Sequence, residues 1–131
     1  MNGSTAPSKS KPLVLVVDDQ PANIQVLYAL LKDDYDVCMA LNGADALGIC
    51  RAQRPVLVLL DIEMPGMGGY EMCRQLKDDP ALRGTTVIFA SGHLDPHVQA
   101  QGIALGAAGF ISKPYTASVV REMVRSSLAL S

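Results

Sequence analysis

The sequence has no tryptophan, few aromatic residues and no excess of basic residues. The shortage of basic residues excludes one class of function. Aromatic residues make up 5% of the 131 residues, and 11 Lys and Arg against 13 Asp and Glu give a formal net charge of -2. A chain without net positive charge lacks the attraction that dominates binding to the phosphate backbone of nucleic acids. We therefore expect no direct contact with nucleic acid.

Long apolar segments are also missing. No apolar run approaches the roughly 20 residues that a transmembrane helix requires, and the first residues lack the hydrophobic core of a signal peptide. We accordingly expect no contact with a membrane and a cytoplasmic location. Residues 1–10, MNGSTAPSKS, are small and polar, which predicts a disordered N-terminal tail before one domain at residues 11–131.

The three cysteines do not form the pattern of a disulfide framework or a zinc site. Cys38, Cys50 and Cys73 are odd in number, lie in apolar sequence and include no CxxC pair. A structural zinc site needs four Cys or His ligands. We interpret all three residues as buried free thiols in a reducing compartment.

Five short apolar runs alternate with stretches of helical periodicity. Strands without polar alternation are typical of a parallel sheet that helices cover on both faces. Because parallel strands need crossover connections, the alternation predicts an α/β domain with a doubly wound sheet in three layers. The predicted strands are 13–17, 35–40, 56–60, 86–90 and 110–111, and the predicted helices begin near residues 21, 44, 69, 96 and 116.

Two residues mark the beginnings of the first two helices. Pro21 suits the first helical position, where its missing N–H group costs nothing. Asn42 is expected to cap the second helix. The buried stripe of the first helix is predicted from apolar spacing to comprise Ile24, Leu27, Tyr28 and Leu31.

Reactive side chains lie at the carboxyl ends of four of the strands. Asp18 and Asp19 follow the first strand, Asp61 the third, Ser91 the fourth and Lys113 the fifth. The carboxyl ends of parallel strands meet at one edge of the sheet, so these groups should share one crevice. Clustered carboxylates repel one another unless a cation lies among them, and their hard oxygen atoms suit Mg²⁺. A carboxylate nucleophile, a metal, a lysine and a hydroxyl are the parts needed to accept a phosphoryl group.

Each of these residues also has a purely structural interpretation. Asp61 could cap the following turn, Asp18 or Asp19 could cap the first helix, and Lys113 could be a solvated loop charge. Unrelated capping does not explain why all of them lie at the same edge of the sheet.

Two other functional classes use a similar topology. A flavin-binding protein would need a hydroxyl- and amide-rich phosphate loop after the first strand, where DDQP would instead repel a phosphate. A hydrolase that uses an aspartyl phosphate would need a second acid beside Asp61, and we expect Glu63 to point away from it.

Four sequence blocks, DDQPANI, LLDIEMPGMGG, VIFASG and GFISKP, resemble the signature blocks of bacterial two-component response-regulator receiver domains. The resemblance covers residues 11–128, with the blocks in the family's order and spacing. It implies a flavodoxin-like sandwich with a five-stranded parallel sheet of order 2-1-3-4-5 and helices on both faces. It further implies a phosphoacceptor of a phosphorelay, which catalyses only its own phosphorylation and dephosphorylation and is not otherwise an enzyme.

The resemblance also assigns a metal site and a phosphoryl donor. Asp61 matches the phosphoacceptor and a metal ligand, Asp19 a direct ligand of Mg²⁺, and Asp18 a ligand that acts through water. Glu63 would contribute its backbone carbonyl, and Mn²⁺ could replace Mg²⁺. The implied partners are a sensor histidine kinase or a histidine phosphotransfer protein, together with an unknown output domain or partner.

A switch is implied by the same comparison. Ser91 matches the hydroxyl that follows the phosphoryl group, Lys113 the lysine that pairs with it, and Pro114 the family's cis-proline. Phe110 occupies the position of the aromatic switch residue but lacks the hydroxyl of the tyrosine often found there. We therefore expect packing alone to report the position of its ring.

Two positions flank the expected path of the water that removes the phosphoryl group. Glu63 and His93 lie two residues beyond Asp61 and Ser91, where the family tunes dephosphorylation; for His93, a solvated loop residue is the alternative. Gly68, Ala108 and Gly109 replace acids that are frequent in the family, which argues against the charge-paired dimer of its transcription factors. The remaining alternative function is a degenerate receiver, which would act as an interaction module without phosphorylation.

Overall fold

A computed structural model describes residues 11–129, and the predicted disordered tail at residues 1–10 lies outside the described residues. Five strands and five helices alternate along the chain, as predicted. The strands are β1 (Leu13–Val17), β2 (Asp36–Ala40), β3 (Leu57–Asp61), β4 (Thr86–Ser91) and β5 (Gly109–Ser112). The helices are α1 (Pro21–Leu31), α2 (Gly43–Gln53), α3 (Gly69–Asp78), α4 (Pro96–Ala104) and α5 (Ala117–Ala129).

The strands form one parallel sheet in the order β2-β1-β3-β4-β5, which confirms the predicted fold class. Successive residues of a strand point to opposite faces, so Leu15 and Val17 of β1 pack in one apolar layer and Val14 and Val16 in the other. The first layer includes the buried side chains of α2 and α3, whereas the second includes those of α1 and α5. The chain is thus a three-layer sandwich.

The local signals at the first two helices are confirmed. Pro21 is the first residue of α1, and the Asn42 side chain accepts a hydrogen bond of 2.8 Å from the backbone N–H of Asp45. In the part of the chain that the structure describes, no helix is long and apolar enough to cross a membrane.

Two predicted buried residues are partly exposed. Tyr28 is 42% exposed, because the stripe of α1 that meets the sheet consists only of Ile24, Leu27 and Leu31. Cys38 is half-buried because it lies on the edge strand β2, whereas Cys50 and Cys73 are buried, and all three are free thiols. Burial raises the pKa of Cys50 to about 11, which keeps this thiol protonated and unreactive at neutral pH.

Candidate functional site

Three carboxylates meet at the carboxyl edge of the sheet. Asp18 follows β1 and Asp61 ends β3, and these strands are neighbours, so their ends lie side by side. One ligand oxygen from each of Asp18, Asp19 and Asp61 lies within 4.8 Å of the others. Asp18 and Asp61 are 1% and 2% exposed, whereas Asp19 is more open to solvent. Three oxygens at this spacing can contact one small divalent cation.

Lys113, which follows β5, forms ion pairs with both buried acids. Its Nζ lies 3.0 Å from Oδ1 of Asp61 and 3.1 Å from Oδ2 of Asp18. Burial alone would lower the pKa of Lys113, but its hydrogen bonds to Asp61 and Asp18 outweigh that effect and raise the pKa. The backbone N–H of Lys113 donates to the carbonyl of Ser91, and the Lys113–Pro114 peptide bond is cis. The lysine therefore remains charged and is held beside both acids.

Asp18 also contacts the start of α1, although the N-cap residue of this helix is Gln20, and neither Asp18 nor Asp19 caps it. Its Oδ1 accepts from the backbone N–H of Gln20 at 2.9 Å, and its Oδ2 accepts from Nδ2 of Asn23 at 3.1 Å. Asn23 belongs to the DDQPANI block, but nothing in its spacing indicated a contact with Asp18. This acid consequently belongs both to the acid cluster and to the turn that follows β1.

The Asp61 carboxyl is harder to ionise than an ordinary aspartate. Burial raises its pKa; the hydrogen bond from Lys113 opposes this effect, and the charge of Asp18 adds to it. Because the pKa of Asp61 is higher in the folded than in the unfolded state, the folded protein binds more protons than the unfolded chain at pH values between the two. Its stability therefore falls as pH rises through this interval. Ionisation of Asp61 therefore costs stability at neutral pH.

We accordingly expect Asp61→Asn to be more stable than the wild type at pH 7 without divalent cations, because it removes a buried charge whose ionisation is unfavourable. The difference should shrink towards acidic pH, where the Asp61 carboxyl is protonated in both the folded and the unfolded wild type. Urea unfolding over a pH series would measure it, with the exposed Asp78→Asn as control. Equal or lower stability of Asp61→Asn at pH 7 would contradict this account.

Ser91 and Glu63 form a hydrogen bond beside the acid cluster. The fully buried Ser91 donates its hydroxyl proton to Oε2 of Glu63 at 2.8 Å and accepts from the backbone N–H of His93 at 2.9 Å. The expectation that the Glu63 side chain points away was wrong. Side chains two residues apart along an extended strand point to the same side, so alternation from Asp61 favours Glu63 on the side of the acid cluster. The His93 side chain is exposed.

Phe110 is half-buried in an aromatic row that spans three elements. Its ring centroid lies 6.1 Å from that of Phe89, which in turn makes an edge-to-face contact with Tyr70 at 5.4 Å. The Tyr70 hydroxyl donates to the carbonyl of Val98 in α4 at 3.3 Å. A Cβ atom at Gly102 would lie 2.6 Å from the Phe110 ring. The roles of Tyr70 and Gly102 were not predicted, because both contacts join different elements and the apolar spacing within one element does not reveal them.

Tyr115 is a second residue that the sequence did not indicate. Among the described residues, its hydroxyl is the one buried side-chain polar atom without a hydrogen-bond partner. Burial raises the pKa of Tyr115, and the charges of Asp18 and Asp61 add to the shift. The hydroxyl therefore stays protonated, in the electrostatic field of the acid cluster.

Comparison with known proteins agrees with this geometry. Residues 14–125 match the model of the response regulator receiver domain family. Response regulator PleD of Caulobacter vibrioides is 39% identical over 114 residues, which cover 86% of this chain and 25% of PleD. Protein PilH of Pseudomonas aeruginosa is 32% identical over 117 residues, which cover 88% of this chain and 97% of PilH.

Solved structures also share this fold. The chemotaxis protein CheY4 of Vibrio cholerae superposes with a TM-score of 0.86 at 25% identity, over 89% of this chain and 98% of that protein. The chain spans about a quarter of PleD but nearly all of PilH. Both the family match and the PilH relationship cover most of the chain, so it belongs to the response regulator receiver domain family of two-component systems.

Proposed function

We propose that this chain is a phosphoacceptor in a phosphorelay and that Asp61 receives the phosphoryl group. The observation that supports this most directly is the Lys113 ammonium group 3.0 Å from Asp61, with two further acids in the same cluster. A structural ion pair needs only one acid. The additional carboxylates are costly by mutual repulsion unless a ligand uses them.

In the proposed reaction, a carboxylate oxygen of Asp61 attacks the phosphorus atom of a phosphohistidine. The new P–O bond forms as the P–N bond breaks, and the imidazole leaves with the bonding electron pair. Lys113 turns from the Asp61 oxygen to a phosphoryl oxygen, and the Ser91 hydroxyl donates to another. Lys113 already contacts Asp61, and Ser91 directly follows Ala90, which pairs with Asp61 across β3 and β4.

Asp18, Asp19 and Asp61, with the backbone carbonyl of Glu63, would hold Mg²⁺ or Mn²⁺. The close spacing of the three carboxylates and their hard oxygen atoms fit such an ion. When bound, the ion supplies positive charge that offsets repulsion between the acids and the incoming phosphoryl group.

Mg²⁺ is therefore expected to stabilise the protein against heat. An ion at a hundredfold excess over its dissociation constant adds about 2.7 kcal/mol to the unfolding free energy, and Asp19→Asn should lose most of this gain because it removes a ligand. Thermal unfolding with and without MgCl₂ measures the effect, and Asp78→Asn should behave as the wild type. An undiminished Mg²⁺ effect in Asp19→Asn would contradict the assigned ligands.

Ser91 and Phe110 form the proposed switch. When the Ser91 hydroxyl moves to the phosphoryl group, the space that it vacates lets Phe110, which already packs against Phe89 and Gly102, turn further inward. Phenylalanine has no hydroxyl, so only the shape of the packed surface around α4 carries the signal. The cis peptide bond before Pro114 lies in the loop that carries Lys113.

Glu63 and His93 are proposed to set the lifetime of the phosphoryl group: Glu63 accepts a hydrogen bond from Ser91, and the exposed His93 side chain lies two residues beyond Ser91. A dephosphorylation rate unchanged in His93→Ala would remove His93 from this role.

A sensor histidine kinase or a histidine phosphotransfer protein would supply the phosphoryl group in the cytoplasm, and the output domain or partner is not identified. The chain would catalyse only its own phosphorylation and dephosphorylation. A degenerate receiver is disfavoured, since all five reactive positions carry competent residues: Asp18, Asp19, Asp61, Ser91 and Lys113.

Acetyl phosphate with Mg²⁺ tests the proposal. We expect intact-mass spectrometry to detect one phosphoryl adduct per chain, which disappears when Mg²⁺ is chelated. The absence of any adduct on the wild type would overturn the phosphoacceptor function and favour the degenerate receiver.

A further inference from the structure

The Ser91 hydroxyl has a single proton, and the structure shows where that proton goes. Ser91 donates to Oε2 of Glu63 at 2.8 Å, while its oxygen accepts from the backbone N–H of His93 at 2.9 Å. The backbone of Ser91 is fixed by strand pairing and by the bond from Lys113 N–H to its carbonyl. Only rotation of the side chain can redirect the hydroxyl.

We propose that Glu63 is an off-state latch: its carboxylate holds the Ser91 hydroxyl and must release it before the hydroxyl can bind a phosphoryl group on Asp61. The inference rests on the proposed function and adds a competition to it. A hydroxyl donates one hydrogen bond at a time, so the bond to Glu63 and a bond to a phosphoryl oxygen exclude each other. Glu63 is thus a positioning residue that acts through Ser91.

The charges around Glu63 favour release of Ser91 once Asp61 is phosphorylated. Glu63 is an exposed side chain whose carboxylate reaches the buried Ser91. Its charge contributes to the raised pKa values of both Asp61 and Tyr70, which places the carboxylate in the field of the acid cluster. A phosphoryl group on Asp61 adds further negative charge at that point. Repulsion then drives Glu63 outwards and frees Ser91.

The latch predicts that Glu63 weakens binding of a phosphoryl analogue, because only the released fraction of the protein is competent to bind. The probe is beryllofluoride with Mg²⁺, which binds reversibly, so its affinity does not depend on a hydrolysis rate. We expect Glu63→Ala to bind it roughly threefold to tenfold more tightly than the wild type, as the loss of one competing hydrogen bond implies. Titration calorimetry and fluorine NMR measure this affinity.

Two further variants separate the hydrogen bond from charge. Glu63→Gln keeps an acceptor oxygen without the charge, so it should gain less affinity than Glu63→Ala. In a Ser91→Ala background the latch no longer exists, and the Glu63→Ala gain should fall to the part due to charge. Glu122→Ala, which removes an exposed acid on α5 that pairs with Arg125, should bind as the wild type. Melting curves would verify that each variant is folded.

The results distinguish failure of the latch from failure of the phosphoacceptor function. An affinity gain in Glu63→Ala that is at least halved by Ser91→Ala supports the latch. No gain, or a gain of equal size in both backgrounds, overturns the latch and leaves the phosphoacceptor function standing. No binding of beryllofluoride to the wild type, together with no adduct from acetyl phosphate, overturns the function itself.

Discussion

Asp61→Asn is expected to form no phosphoryl adduct with acetyl phosphate and Mg²⁺ under conditions that label the wild type. An amide oxygen is a poor nucleophile and cannot form the mixed anhydride that a carboxylate forms. Intact-mass spectrometry measures the loss, and the exposed Asp78→Asn is the matched control that should retain the adduct.

The stability expected for Asp61→Asn excludes misfolding as the reason for a lost adduct. We expect this variant to be more stable than the wild type at neutral pH, so a lost adduct combined with a raised unfolding temperature cannot result from misfolding. An adduct that survives in Asp61→Asn would show that another side chain is modified and would refute the assignment of the nucleophile.

Gly69→Ala is expected to destabilise the protein by roughly 3 kcal/mol, because a Cβ atom there has no space. The added carbon would lie 2.4 Å from the carbonyl oxygen of Asp61 and 3.0 Å from Cα of Ile62, and both of these are backbone atoms that cannot rotate away. The backbone N–H of Gly69 also donates to the carbonyl of Ile62 at 3.1 Å. The start of α3 therefore packs directly on the backbone that presents Asp61.

Gly48→Ala is the matched control. Gly48 lies within α2, and a Cβ atom there would meet nothing within 4 Å. Alanine is favoured over glycine in a helix by about 1 kcal/mol, so this change should stabilise the protein. Urea unfolding compares the two variants, and the acetyl phosphate reaction should be slowed only in Gly69→Ala. Similar stabilities would contradict the close approach at Gly69.

The sheet and the acid cluster could be predicted because both follow from where apolar runs end. Unbroken apolar strands indicate parallel pairing, and parallel pairing brings residues at strand ends such as Asp18 and Asp61 to one edge. Periodicity does not give the order of the strands. That order was predicted from the resemblance to a family.

Most of the omissions have a common physical origin, since they involve the strand order or contacts between different elements. Glu63 lies two residues after Asp61, the last residue of β3, and a period of two favours the same side for both, so the expected direction was wrong. Cys38 is half-buried because β2 is an edge strand, which only the strand order reveals. The contact of Gly102 with Phe110 joins α4 to β5, and the apolar periodicity within either element does not predict it.

The contact between Gly102 and Phe110 restricts which residues can occupy positions 102 and 110 in homologues. Gly102 is the buried residue of α4, and its missing side chain is the volume that the Phe110 ring occupies. The two positions therefore share one fixed volume, and a larger residue at one requires a smaller residue at the other. Homologues that keep this packing should exchange residues at positions 102 and 110 as a correlated pair, with glycine at the first wherever the second is a large aromatic residue.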